Sequence, residues 1–124
     1  MSEAVRGVVV YHGGLASALI GAVEQISGLT DRLVAVSNAG CDRDRLEQRI
    51  VDAISGAPAV LFVDMPSGSC LFAALHRLRD EPNVKVVTGV NLAMLIDFVH
   101  HADDGPAEAA ARAVATGERA IRIP

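Results

Sequence analysis

Two groups of residues in this chain have types and positions suited to chemistry. His12 ends an apolar run, Gly7-Val8-Val9-Val10-Tyr11, and Gly13-Gly14 and a helix-like stretch from Leu15 follow at once. This order predicts strand, tight turn, helix. It puts an imidazole at the carboxyl end of a buried strand, where open α/β sheets place their ligands. Imidazole is the side chain that changes charge near neutrality, and it can carry or pass a charged group. Asp64 follows a second apolar run, Leu61-Phe62-Val63, and opens the loop Asp64-Met65-Pro66-Ser67-Gly68-Ser69-Cys70.

A carboxylate beside an imidazole has a definite job. It accepts a hydrogen bond from one ring nitrogen, fixes the tautomer and raises the basicity of the other. Ser67 and Ser69 stand near a helix start, where free backbone N–H groups favour a phosphate. Gly68 lets the backbone come close. Plainer roles exist: Asp64 as a turn residue and Ser69 as a helix cap. The pairing of His12 with Asp64 on two separate strands favours the chemical reading. His76 shares a charged helix face with Arg77 and Arg79, and His100-His101 close a helix whose dipole favours cations.

The elements that must position these residues alternate along the chain. Strands are predicted at Gly7–Tyr11, Leu33–Val36, Ala59–Val63, Val84–Thr88 and, last, Ala120–Ile123. Helices are predicted at Leu15–Ser27, Arg43–Ser55, from Ser69 through Leu78, at Leu92–Val99 and at Ala107–Ala115. The first helix should bury Leu15, Leu19, Val23 and Ile26. The second should bury Leu46, Ile50 and Ile54 and turn Glu47 outward; the third should bury Phe72, Leu75 and Leu78. Asp42 and Asn91 are expected caps. Continuous apolar runs in the first and third strands fit parallel strands covered on both faces. The predicted fold is therefore α/β, doubly wound, with a mostly parallel four-stranded core sheet flanked by helices. The Ala120–Ile123 strand would be an edge strand, or one that crosses to a partner subunit.

The 124 residues are expected to form a single domain, 1–124. Apolar residues make up 51%, and the aromatics are three Phe and one Tyr, so the core must be aliphatic. The net charge of −4 and the absence of stacking platforms argue against nucleic acid as a partner. No apolar run reaches the roughly 18–20 residues needed to span a bilayer, so no membrane insertion is expected. No signal peptide is evident, and Cys41 and Cys70 fit a reducing compartment; the expected location is cytoplasmic. The cysteines lack metal-ligand spacing, and no metal or cofactor is expected. His12, Asp64 and Ser69 supply the residue types of a serine hydrolase, but the Gly-x-Ser-x-Gly elbow is missing. His12-Gly13-Gly14 lacks dinucleotide-binding spacing, and there is no P-loop.

Three segments together resemble the IIA component of the mannose (mannose–fructose–sorbose) family of the sugar phosphotransferase system. The first is Val8-Val9-Val10-Tyr11-His12-Gly13-Gly14-Leu15-Ala16-Ser17-Ala18-Leu19. The second is the loop with Asp64 and Gly68-Ser69. The third is Thr88-Gly89-Val90-Asn91-Leu92-Ala93-Met94-Leu95. The resemblance covers nearly the whole chain. It implies that His12 accepts a phosphoryl group from the phosphocarrier HPr and passes it to a IIB component. It implies that Asp64 hydrogen-bonds the imidazole and that Ser69 lies in the same pocket. Gly13, Ser67 and Gly68 would line the phosphate. It further implies a homodimer, in some members with the terminal strand exchanged. The chain departs from the family pattern in the second segment, where a Pro and an Asn are absent from Ser69-Cys70-Leu71-Phe72, and at Ala93, where Pro is usual. The alternative reading is a regulatory IIA-like protein whose His12 phosphorylation state controls a partner without sugar transport.

Overall fold

The computed structural model describes residues 4–124. The elements are β1 (Arg6–Tyr11), α1 (Leu15–Ser27), β2 (Leu33–Ser37), α2 (Arg43–Ile54), β3 (Ala59–Val63), α3 (Ser69–Leu78), β4 (Val84–Thr88), α4 (Leu92–His100) and α5 (Pro106–Arg119). The four strands form one sheet in the order β2-β1-β3-β4, and every pair is parallel. Val10 of β1 lies opposite Val36 of β2 and Val63 of β3.

The two central strands are the continuous apolar runs. Val8, Val9 and Val10 of β1 and all of β3 are buried. Alternate residues face opposite layers. On one face, Val9, Tyr11, Val60 and Phe62 pack with Val23 of α1, Leu95 and Phe98 of α4 and Ala109 and Ala113 of α5. On the other, Val8, Val10, Leu61 and Val63 pack with Leu46 and Ile50 of α2 and Ala73 and Ala74 of α3. The doubly wound α/β prediction therefore describes the fold. Phe62 and Phe98 meet edge to face, with centroids 5.0 Å apart. Gly7 gives Phe98 its room, because a Cβ at that position would lie 2.5 Å from Leu33 Cδ2 and 2.6 Å from Phe98 Cε2.

The strand order turns round between β1 and β3. From β1 the chain moves to one side through α1, and from β2 it returns past β1 to β3 through α2 on the opposite face. This is the switch point where an open α/β sheet leaves a crevice at its carboxyl edge. The loops after β1 and β3, which carry His12 and Asp64, both open there.

Three expectations need correction. The last helix extends to Arg119, and Ala120–Ile123 forms no strand. The Ala120 N–H bonds back to the Thr116 carbonyl and the Ile121 N–H to Glu118, so helical bonding runs into the segment. Ile121 and Ile123 are 78% and 100% exposed, with no sheet edge beside them. Second, the buried residues of α1 are Ala16 and Val23, with Leu19 and Ile20 packed partly beside them; Leu15 and Ile26 are exposed. The small Ala16 brings the first turn close to the sheet and rotates its neighbours out. Third, α3 buries Cys70, Ala73, Ala74 and Leu78 and leaves Phe72 half exposed, while Glu47 of α2 is buried against it.

Candidate functional site

His12 follows β1 directly, and its turn is built by backbone needs. Gly13 takes φ +60°, a left-handed conformation that side chains disfavour. The turn is tied to the end of β2: Gly13 N–H donates to Asn38 Oδ1 at 3.0 Å, and Ser37 Oγ donates to the Gly13 carbonyl at 2.7 Å. Asn38 and Ser37 were not singled out from the sequence. Their signal was their position, at the carboxyl end of the strand neighbouring β1.

Asp64 closes on His12 from the end of β3. Its Oδ2 lies 2.6 Å from His12 Nδ1 and accepts the His12 backbone N–H at 3.0 Å. A carboxylate can only accept, so Nδ1 carries a proton, and in the neutral ring the lone pair is on Nε2. Asp64 Oδ1 is buried with no partner among the described residues, so the hydrogen bonding of this carboxylate is directed to His12. The His12 side chain is 43% exposed while Asp64 is largely covered. The ring is nearly half open to solvent and the carboxylate beside it is not.

The helix α3 begins beside the ring. Ser69 Oγ is 3.5 Å from His12 Nε2. Gly68 precedes the helix at φ +96°, and a Cβ there would sit 3.8 Å from His12 Cε1, over the ring. No side chain among the described residues caps this helix, so its first N–H groups are left unclaimed by a cap. Ser67 is exposed beside Gly68, and its hydroxyl makes no hydrogen bond among the described residues. The structure thus brings His12, Gly13, Asp64, Gly68 and Ser69 together and leaves Ser67 on the rim.

Cys70 is buried with its Sγ 3.8 Å from His12 Nδ1. Burial, and then the charge of Asp64, push its thiol up to about 11. The same two causes push Tyr11, whose hydroxyl donates to the Val90 carbonyl, up to about 12. Among the described residues, His12, Asp64 and Cys70 are the one group with donor atoms close enough to hold a metal ion. Within this group Asp64 Oδ2 engages Nδ1, and Cys70 Sγ lies beside the same nitrogen.

The third motif has a different task. Asn91 caps α4 through Oδ1, accepting from Met94 N–H at 3.0 Å, and its Nδ2 donates to the Gly117 carbonyl of α5. It locks two helices together behind the site. The sequence pattern of the family described as PTS system fructose IIA component matches residues 7–115. The chain belongs to that family.

Solved IIA structures share its fold. The phosphotransferase system component EIIA from Streptococcus agalactiae superposes with a TM-score of 0.87 at 16% identity, covering 96% of each chain. The mannose/sorbose-specific IIA subunit from Enterococcus faecalis gives 0.85 at 20% identity, covering 98% of this chain and 96% of that one. The PTS IIA protein associated with the fucose utilization operon of Streptococcus pneumoniae gives 0.77 at 22%, covering 99% and 96%. No curated protein is significantly similar in sequence. The doubly wound sheet of this chain thus matches the fold of these structures, and none of the described helices is long and apolar enough to cross a membrane.

Proposed function

We propose that this chain, over its full span 1–124, is a phosphocarrier of the sugar phosphotransferase system. His12 accepts a phosphoryl group from HPr in the cytoplasm and passes it to a IIB component. The observation that carries this reading is the His12–Asp64 contact, which leaves Nε2 unprotonated and open beside the uncapped start of α3. The Nε2 lone pair attacks phosphorus in line, and the donor's P–N bond breaks with its electron pair returning to the donor nitrogen. The His12 ring gains charge, which the Asp64 carboxylate stabilises through Nδ1–H. The α3 N–H groups, the Ser69 hydroxyl and the backbone at Gly68 meet the phosphoryl oxygens. Catalysis of this kind needs positioning and charge stabilisation more than covalent help from the protein. A homodimer, with the exposed Ile121–Pro124 tail engaged by a second subunit, belongs to the same proposal.

A regulatory reading stands second. A sigma-54 interaction domain protein from Enterococcus faecalis shares the fold with a TM-score of 0.79 at 15% identity. In that reading His12 is phosphorylated in the same way, but a partner protein reads the result and no IIB takes the group.

The test is intact mass after incubation with phosphoenolpyruvate, Enzyme I and HPr, for the wild type and His12→Ala. One acid-labile phosphate on the wild type alone is the expected result. No phosphate on either, with an HPr active on another acceptor, overturns the relay. Transfer onward to a IIB separates transport from regulation.

A further inference from the structure

We propose that Arg43 is a phosphoryl-binding residue of this site, parked on the Phe72 ring and drawn onto the phosphoryl oxygens when His12 is phosphorylated. The inference rests on His12 accepting a phosphoryl group.

The first argument is charge. A phosphoryl group brings close to two negative charges at neutral pH. Here it would join a ring whose other nitrogen is 2.6 Å from a carboxylate. The groups within reach of the ring are Asp64, Ser69 and Cys70, together with the backbone at Gly68, and none is cationic. The start of α3 offers only a partial charge.

The second argument is a cavity. A cleft of about 300 Å³ opens at the start of α3, lined in part by Asn38, Ser69, Phe72 and Arg43. Ser69 is the residue 3.5 Å from Nε2, and Asn38 is the residue that holds Gly13. Arg43 is the only Lys or Arg on that cleft. Its one carboxylate, Asp42, is turned back to cap α2 through the Arg45 N–H.

The third argument is the state of Arg43 itself. Its guanidinium carbon lies 4.1 Å from the Phe72 ring centroid. Among the described residues it has neither a hydrogen bond nor an ion pair. A cation resting on an exposed ring is held weakly, whereas a bidentate guanidinium–phosphate contact is strong and directional. The perch is itself anchored. Phe72 stands one turn beyond Ser69 on the same face of α3. His76 stacks against it at 5.9 Å and 17°, and buried Glu47 holds His76 through a 3.0 Å contact.

Arg43 exchanges no atoms. The N–P bond forms at Nε2, the donor's P–N bond breaks, and Nδ1–H remains with Asp64 while the guanidinium takes two phosphoryl oxygens.

The test uses phosphoramidate, a small donor that needs no protein partner and leaves ammonia. Phosphorylation rates are measured for wild type, Arg43→Ala and Arg43→Lys, alongside the Arg43 Nε–H NMR signal before and after phosphorylation. The expected result is a rate at least ~10-fold lower for Arg43→Ala with an unchanged circular dichroism spectrum. Arg43→Lys should recover part of the rate, and the Nε–H signal should move on phosphorylation. Equal rates for Arg43→Ala and wild type, or an Nε–H signal that stays put in the phosphorylated protein, overturn the inference. Where phospho-HPr labels the wild type and phosphoramidate does not, the same rates are read with phospho-HPr; no phosphorylation of the wild type by either donor overturns the inference together with the role of His12. Phosphorylation by phosphoramidate but not by HPr removes the relay and leaves Arg43 to be judged on these rates.

Discussion

Asp64 Oδ2 holds His12 twice, at the ring Nδ1 and at the backbone N–H, so one carboxylate oxygen sets both the tautomer and the position of the imidazole. Asp64→Asn keeps the shape but presents an amide in place of a pure acceptor. Loss of such a supporting contact slows the chemistry of the supported group by about 10–100-fold. Stopped transfer from phospho-HPr, sampled over time, is the measurement. An unchanged rate removes the role assigned to Asp64.

His12→Ala should abolish phosphate incorporation and leave the fold intact. The ring is nearly half exposed and packs into neither core layer, so the loss of stability is within about 1 kcal/mol, the scale of one hydrogen bond. Urea unfolding of the two proteins checks it. A collapse of the fold would remove His12→Ala as a clean test of chemistry.

Alkaline pH should weaken the fold through Cys70 and Tyr11. Both are neutral when protonated, and both titrate in the folded protein above their ordinary values of 9.0 and 10.0. Folding therefore favours the protonated forms. Their contribution is complete below pH 9.0 and is lost as pH rises through about 11 for the thiol and about 12 for the phenol. Urea midpoints across the alkaline range should fall for wild type, and less steeply for Cys70→Ala. Equal slopes would mean that the thiol plays no part.

Gly7→Ala and Gly117→Ala should differ in cost. At Gly7 the new Cβ meets Leu33 and the Phe98 ring inside the packed layer, a conflict typical of overpacking at about 1–3 kcal/mol. At Gly117 it meets the Met94 methyl at 2.6 Å, the far end of a flexible side chain, and alanine favours a helix by about 1 kcal/mol. Thermal midpoints should place Gly7→Ala well below Gly117→Ala. The reverse order would show that the ring at Phe98 yields more easily than Met94.

His76→Ala should destabilise the chain by about 1–3 kcal/mol, because it strands the Glu47 carboxylate, whose other oxygen already lacks a partner among the described residues. Equilibrium unfolding measures it. A neutral result would mean that water reaches Glu47 once the imidazole is gone.

The strands and the meeting of His12 with Asp64 at their ends were legible because β1 and β3 are unbroken apolar runs with one polar residue at each carboxyl end. Helix positions were legible, but their rotation was not. Periodicity marks a stripe, while the side chains that touch the sheet are chosen by close approach. Ala16, Ala73 and Ala74 made that approach, and the larger Leu15 and Phe72 turned out. Glu47 was read as solvated because no local pattern announces a partner 29 residues away on another helix. The alternation Arg119-Ala120-Ile121-Arg122-Ile123 resembles a strand, yet a strand needs an edge to pair with, which the segment lacks here. Ser37 and Asn38 became site residues through strand order, which no single segment encodes.

His12 and Asp64 stand 52 positions apart, and the chain between them carries α1, β2, α2 and β3. Joining them is a non-local closure of the kind that slows folding. The pairing of β1 with β3 must also be in register: a slip of one residue sends the Asp64 side chain to the opposite face of the sheet. Under the relay proposed above, competence for labelling at His12 reports native strand alignment. A pulse of phosphoryl donor during refolding would time the moment at which the central pair locks.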